Sequence, residues 1–374
     1  MLQLYTRGEL VKRYFKIIII EFLIVLILAT LFIYRKGQLN IALKSTSIVA
    51  TNSQMQEIPI KNSKLYLELE TALLNGDDEV DLKNLNFFKK PQEIFYMLEM
   101  ISNDNPEIMY YKGAEYRLGK LNLLYTKSKK EIVSHRQRVR EIKEDFIKNY
   151  INETMSDYEK VLVVHDYIVN SSKYDESLLY DSQIPPESYS SYGVLELGNA
   201  VCEGYAKAMK YLLDDLQINS MIVIGASKGE NHAWNLVELE SEYYHIDATW
   251  DDPITENGRS IIRHSYFNLD DEELSKTHNW NRDDYPKANG KKYNYFVYNN
   301  LIISQPGELE GKLKDAILRK DKNLCLKLKD FEKNININRI VEKVAYENYN
   351  ITKLRSYGYS IDVEQDILNF EFYY

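Results

Sequence analysis

The segment NHAWNLVELESEYYHIDATWDDP, from Asn231 to Pro253, constrains this chain more than any other. Apolar and polar residues alternate on both sides of Glu240 and Ser241, the pattern of two strands joined by a tight turn. A two-residue turn there pairs Leu239 with Glu242 and sets His232 opposite Thr249. Side chains alternate along a strand, so Asp247 then shares a face with His232 as its diagonal neighbour. A loop one residue longer or shorter would send the two to opposite faces. The hairpin is thus also a prediction about which polar groups can meet.

Upstream, NAVCEGYAKAMKYLL begins at Asn199. Tyr205, Ala208, Met209, Leu212, Leu213 and Leu216 recur at helical spacing, which places Cys202 in the first turn of a helix. Unpaired N–H groups and the helix dipole at that end favour an anion, hence a thiolate over a thiol. The same N–H groups could receive an oxyanion. Position alone leaves a structural cysteine as an alternative. The only other cysteine, Cys325, alternates with Leu324, Leu326 and Leu328 in a strand pattern and reads as core filler or a solvent-face residue. A Cys202–Cys325 bridge stays open on these grounds. A thiolate mechanism also needs an imidazole to take and return a proton and a carboxylate to orient it. Cys202, His232 and Asp247 supply these in the order helix, strand, strand.

NAVCEGYAKAMKYLL, NHAWNLVEL and YYHIDATWDDP resemble the three signature blocks of the transglutaminase-like superfamily, papain-like thiol enzymes. VVHDYIVNSSKYD upstream and YFNLDDEEL, HNW and YP downstream resemble flanking segments of its bacterial members. The resemblance covers Asp157 to Ala288. It implies Cys202 as nucleophile, His232 as general base and acid, and Asp247 as orienting carboxylate. Many papain-like enzymes carry a Gln shortly before the nucleophile, but GVLELGNA has none. The second oxyanion donor is therefore sought in a Tyr of SYSSYG, a loop residue or a backbone N–H.

Other polar residues have humbler readings. His245 can share a face with His232 and Asp247, which raises zinc, but no paired Cys or short HxxxH accompanies them and no metal or other cofactor is expected. His165 and Asp166 read as structural, as do His264 and His278 in later loops. Trp234 and Trp250 flank the proposed base and carboxylate, either as core or as walls of an acyl cleft. With Tyr192, from the tyrosine cluster near Ser188, they are the candidate substrate-binding residues. Asp251, Asp252 and Pro253 read as the turn that ends the strand.

Ile17 to Tyr34 is apolar apart from Glu21. At helical rise this run spans about 27 Å, close to the hydrocarbon thickness of a bilayer. Basic residues flank it and no small-x-small cleavage site follows, so a signal anchor is expected, with the bulk of the chain extracytoplasmic. The expected organisation is a short cytoplasmic segment at 1–16, a transmembrane anchor at 17–34, a stalk at 35–62, an α+β unit at 63–150, a catalytic domain at 151–290 and a second α+β unit at 291–374. The fold class is α+β: a papain-like, transglutaminase-like core with the nucleophile helix packed on an antiparallel sheet. The order α-β-α-β-β recurs in both flanking units, which suggests a repeat; different strand orders in the two sheets would refute it.

A net charge of −9 argues against nucleic acid, whose binding needs a basic face. Heavy use of Lys, Ile, Asn and Tyr with only 15 Gly and 8 Pro suggests A/T-rich, bacterial coding. The function expected is that of a membrane-anchored thiol enzyme forming an acyl-thioester at Cys202. It would act as a peptidase, amidase or transglutaminase-type acyltransferase on cell-wall peptide or surface protein. The competing expectation is a non-catalytic binding or scaffold protein at the cell surface. Oligomeric state is not legible.

Overall fold

The computed structural model describes residues 63–82, 91–117, 119–177, 183–252, 262–330 and 336–374. The expected anchor and stalk lie outside these residues. Among the described residues no helix is long and apolar enough to cross a membrane.

The N-terminal unit runs α1 (Lys64–Asn75), β1 (Glu79–Asp81), α2 (Pro91–Asp104), β2 (Tyr111–Arg117) and β3 (Lys120–Tyr125). Ser63 caps α1 through its hydroxyl, and Gly76 ends it in the left-handed region with φ 62°. Leu65, Leu69 and Leu73 from α1 meet Met97, Leu98 and Ile101 from α2 over Val80, Leu121 and Leu123 of the sheet. Two capped helices follow, α3 (Lys129–Tyr150) and α4 (Asp157–Ser171). Both carry the reciprocal capping box, Ser128 with Glu131 and Ser156 with Glu159. Sequence had placed α3 with the N-terminal unit, yet its buried Ile132, Val139 and Phe146 join the central core.

In the central unit a short parallel pair, β4 (Lys173–Tyr174) with β5 (Asn199–Ala200), leads into α5 (Cys202–Asp215). The residues before β5 form two short helical turns, at Pro186–Tyr189 and Gly193–Leu197. A five-stranded antiparallel sheet follows: β6 (Ser220–Ser227), β7 (Glu230–Leu239), β8 (Glu242–Ile246), β9 (Phe267–Leu269) and β10 (His278–Trp280), in the order β10-β6-β7-β8-β9. The β7–β8 turn is the expected two-residue one. Leu239 pairs with Glu242, and Glu240 and Ser241 both have positive φ, 51° and 65°. This conformation matches strand twist, although neither residue is the Asn or Gly that usually supplies it.

The alternation of β7 divides its residues between two layers. Val237 and Leu239 join α5 and α4 in one core with Tyr205, Met209 and Val164. Asn235 bonds the Ala206 carbonyl at 2.9 Å, which fixes that face against α5. Trp234 and Leu236 point to the opposite layer with Val223, Leu274 and Trp280. His232 is in phase with this second set.

After α6 (Asp271–Leu274) and α7 (Tyr295–Tyr298), the C-terminal unit contains β11 (Ile302–Ile303), α8 (Pro306–Arg319), β12 (Asn323–Leu328), α9 (Ile337–Thr352), β13 (Ser356–Asp362) and β14 (Ile367–Tyr373). Its sheet order is β11-β12-β14-β13, and that of the N-terminal unit is β1-β3-β2. Leaving aside the added β11, each unit sets its first strand beside its third and its third beside its second, all antiparallel. The strand orders agree, so the comparison that could have refuted a repeat supports it. Leu324 and Leu326 enter the C-terminal core, while Cys325 sits on the other face of β12. That face meets the central unit, where Lys327 pairs with Glu273 at 3.5 Å. Cys202 and Cys325 are both free thiols, so the bridge left open by sequence is not formed.

Candidate active site

Cys202 is the first residue of α5, and Val201 before it offers no side-chain cap. The opening N–H groups of the helix thus keep room for an anion from outside the chain. The helix start is held close against the preceding turn. Val201 N donates to the Ser188 carbonyl at 3.0 Å, and a Cβ on Gly204 would lie 2.4 Å from that same oxygen. Only glycine permits this approach.

The register places His232 and Asp247 as diagonal neighbours on one face, and they bond: His232 Nε2 lies 2.6 Å from Asp247 Oδ2. The carboxylate only accepts, so Nε2 carries the proton and Nδ1 is the nitrogen left for the thiol side. Burial would lower the His232 pKa, but Asp247 and then Cys202 outweigh it and raise the pKa to about 10. Asp247 is held well below the ordinary carboxylate range by His232 and His278 in spite of complete burial. Its second oxygen, Oδ1, accepts from the backbone N–H of Thr249 and Trp250 at 3.0 and 3.2 Å. The side chain of His232 is 10 % exposed and that of Asp247 1 %, so substrate can meet the imidazole but not the carboxylate.

Residues 144–248 match the family model of the transglutaminase-like superfamily. The chain carries a transglutaminase-like domain. The match spans Cys202, His232 and Asp247. Human kyphoscoliosis peptidase is 24 % identical over 140 residues, covering 33 % of this chain and 21 % of that protein. The mouse protein of the same name is 24 % identical over 118 residues, covering 28 % and 18 %. The chain therefore matches only about a fifth of the length of these curated relatives. Among solved structures, a TGase aligns with TM-score 0.29 and 18 % identity over 36 % of each chain. A putative cysteine protease from Cytophaga hutchinsonii aligns with TM-score 0.25 and 18 % identity over 29 % of this chain and 37 % of that one.

In and just beyond the transglutaminase-like domain, the residues proposed to bind substrate go to three different places. Trp234 is 1 % exposed and donates its indole N–H to His245 Nδ1 at 3.1 Å, so it belongs to the core. His245 in turn bonds Asp271 through Nε2 at 2.9 Å, and burial lowers its pKa. Its role is to satisfy a buried indole. Tyr192 stacks on His135 of α3, with centroids 3.9 Å apart and planes at 4°, at the seam between helices. Both tryptophans touch the His232 ring, Trp234 stacked at 6.0 Å from inside the core and Trp250 edge to face at 6.4 Å. Trp250 is the partly exposed one, with the Lys228 ammonium 4.3 Å from its ring centroid. Tyr174 and Tyr189, which sequence did not single out as individuals, lie close to Cys202: burial raises the pKa of both, followed by the charge of Cys202 at Tyr174 and by those of Glu203 and then Cys202 at Tyr189.

His278, read from sequence as a loop residue, is in β10 and fully buried at its side chain. Its Nε2 lies 2.9 Å from Asp247 Oδ2, the same oxygen that His232 uses. No spacing rule could have found it, because β10 reaches the site only by pairing with the edge of β6.

A second network sits behind the first. His165, fully buried on α4, has Nδ1 2.9 Å from Asp166 and Nε2 3.1 Å from Asp251. His264 adds a 2.8 Å contact to Asp166. Asp251 is also more than the end of a strand: it accepts from Tyr266 N, and its own N–H donates to the Asp247 carbonyl at 3.2 Å. Asp252 bonds the Tyr205 hydroxyl at 2.5 Å, and burial raises its pKa to about 6.

His232, Asp247 and His278, like His165, Asp166 and His264, bring three donor atoms near one point. Tetrahedral ligands about 2.0–2.1 Å from zinc stand roughly 3.3 Å apart. The separations here, 2.6 and 2.9 Å in one set and 2.8 and 2.9 Å in the other, are those of direct hydrogen bonds. Both arrangements are proton networks.

Proposed function

We propose that this chain is a membrane-anchored, extracytoplasmic thiol enzyme that acts on amide bonds through an acyl-thioester at Cys202. The observation that carries the reading is the His232–Asp247 bond of 2.6 Å, with Cys202 acting on the same imidazole from the start of α5. The thiolate attacks the amide carbon and forms the C–S bond. The uncapped N–H groups of the first turn receive the oxyanion, and His232 gives its proton to the nitrogen as the C–N bond breaks. Water, deprotonated by His232, then releases the acyl group as a carboxylic acid; an amine in its place yields a new amide. Hydrolysis needs no second binding pocket and is the simpler outcome. The apolar run at 17–34 supports an anchor, and with it cell-wall peptide or surface protein as substrate.

The test is the pH dependence of Cys202 alkylation by iodoacetamide. Labelling that persists well below pH 8 and falls sharply in His232→Ala supports the enzyme. Labelling that follows an ordinary thiol titration, indifferent to His232, favours a scaffold that keeps the fold without turnover. A labelled amine offered with a glutamine-containing protein separates amine transfer from hydrolysis.

A further inference from the structure

His278 is placed with more care than a core histidine requires. Asp247 Oδ2 receives two imidazole nitrogens, His232 at 2.6 Å and His278 at 2.9 Å. The other His278 nitrogen, Nδ1, lies 2.8 Å from the Thr277 hydroxyl. That hydroxyl has one proton; the Leu274 carbonyl is a longer option at 3.4 Å, and the Tyr266 hydroxyl, which also meets it, brings a proton of its own. Thr277 is itself held in place, since its carbonyl accepts from Ser227 Oγ at 3.1 Å. A carboxylate can only accept, so Nε2 of His278 must carry hydrogen, and the Thr277 hydroxyl fills the lone pair at Nδ1. The chain Thr277–His278–Asp247–His232 thus has every donor aimed toward the carboxylate.

Resting on the thiol-enzyme reading above, we propose that His278 is a positioning residue that shares the charge of Asp247 and so leaves His232 able to give up its proton to the leaving amine. A buried carboxylate with a single imidazole partner would hold that proton too firmly. A second N–H on the same oxygen disperses the charge and weakens the hold without moving the acceptor. The argument concerns the proton affinity of the His232–Asp247 pair as a unit, since the two share one proton. The other ionisable groups near the pair are Cys202 from α5, His245 from β8, Tyr266 before β9 and Lys228 at the β6–β7 turn. Tyr174 and Glu230 lie on the thiol side. All of them remain in the variants below, so a change confined to position 278 reads the shared bond.

The experiment uses the full chain and two readouts. One is the upper inflection in the pH profile of Cys202 alkylation by iodoacetamide. The other is the NMR titration of the His232 ring, which needs neither turnover nor a reactive thiol. His278→Phe, which lacks the N–H, should move both upward by about one pH unit, the differential strength of a hydrogen bond to a charged group. Thr277→Val, which weakens His278 as a donor, should move them the same way by less. His278→Gln, whose amide restores an N–H near Nε2, should recover most of the shift.

An unmoved or lowered His232 titration in His278→Phe overturns the proposal, as does a His278→Gln shift as large as that of His278→Phe. If circular dichroism shows that His278→Phe does not fold, Thr277→Val decides, and an unchanged titration there is likewise fatal. Wild-type protein without alkylation below pH 8 would defeat the enzyme reading instead, and the NMR titration would still report on the pair.

Discussion

Asp251 Oδ2 stands 3.1 Å from Nε2 of His165, joining the turn that carries Asp247 to a helix 86 residues earlier in the chain. Because Asp251 N also donates to the Asp247 carbonyl, α4 anchors the far end of the active-site turn. The VVHDYIV segment, read from sequence only as a flanking helix, is thereby a structural part of the site.

Replacing His165 by Leu leaves a fully buried carboxylate without its cationic partner, and a loss of about 3–5 kcal/mol is expected. Burial opposes the charge on His165, but Asp166 and Asp251 outweigh it and raise the pKa to about 9. A raised histidine pKa contributes stability that is complete below the unfolded value of about 6.5 and is lost as pH rises through the folded value. Denaturation midpoints of the wild type should fall between pH 7 and 10, and those of His165→Leu should fall less, the slope that remains coming from His232, whose pKa is raised to about 10. Equal pH slopes in the two proteins would refute the clasp.

Asp247→Asn should keep the fold and lose turnover. The amide can present an N–H where His232 needs an acceptor, which favours the wrong tautomer. A fall in kcat of roughly 10²–10⁴ is expected, measured on any amide substrate identified for the wild type. Retention of a tenth or more of the activity would remove Asp247 from the mechanism.

Gly204→Ala places a methyl group 2.4 Å from the Ser188 carbonyl oxygen, a backbone atom that cannot swing away. Overpacking of this kind costs about 1–3 kcal/mol. The urea midpoint should drop accordingly, and Cys202 alkylation at pH 7 should slow because the start of α5 is displaced. Unchanged alkylation would mean that the Ser188 contact does not set the position of the thiol.

The two tryptophans beside the site should separate cleanly. Trp234→Ala opens a buried cavity and should cost about 3–5 kcal/mol. Trp250→Ala, at the border of the cleft, should change stability far less and raise KM instead. A KM effect from Trp234→Ala at undiminished stability would reverse their assignments.

The two thiols should also separate. Burial pushes Cys325 up to about 11, so in the native protein at pH 7 iodoacetamide should add once, at Cys202, and twice after denaturation. Mass spectrometry counts the adducts. Double labelling of the native chain would contradict the placement of Cys325 against the central unit.

The sequence by itself determined whatever depends on local period and turn length. The helix start at Cys202 and the His232–Asp247 register were both legible. In each case the physical cause lies within a few residues of the effect. The two-residue turn at Glu240–Ser241 even decided which polar groups could meet. Only the tertiary structure decided which further groups join them. His278 arrives through the β10–β6 pairing, His165 reaches Asp251 from a separate helix, and Tyr192 is drawn away to stack on His135. Those partners are chosen by packing between elements far apart in the chain, and a period read along one segment carries no record of what lies across from it.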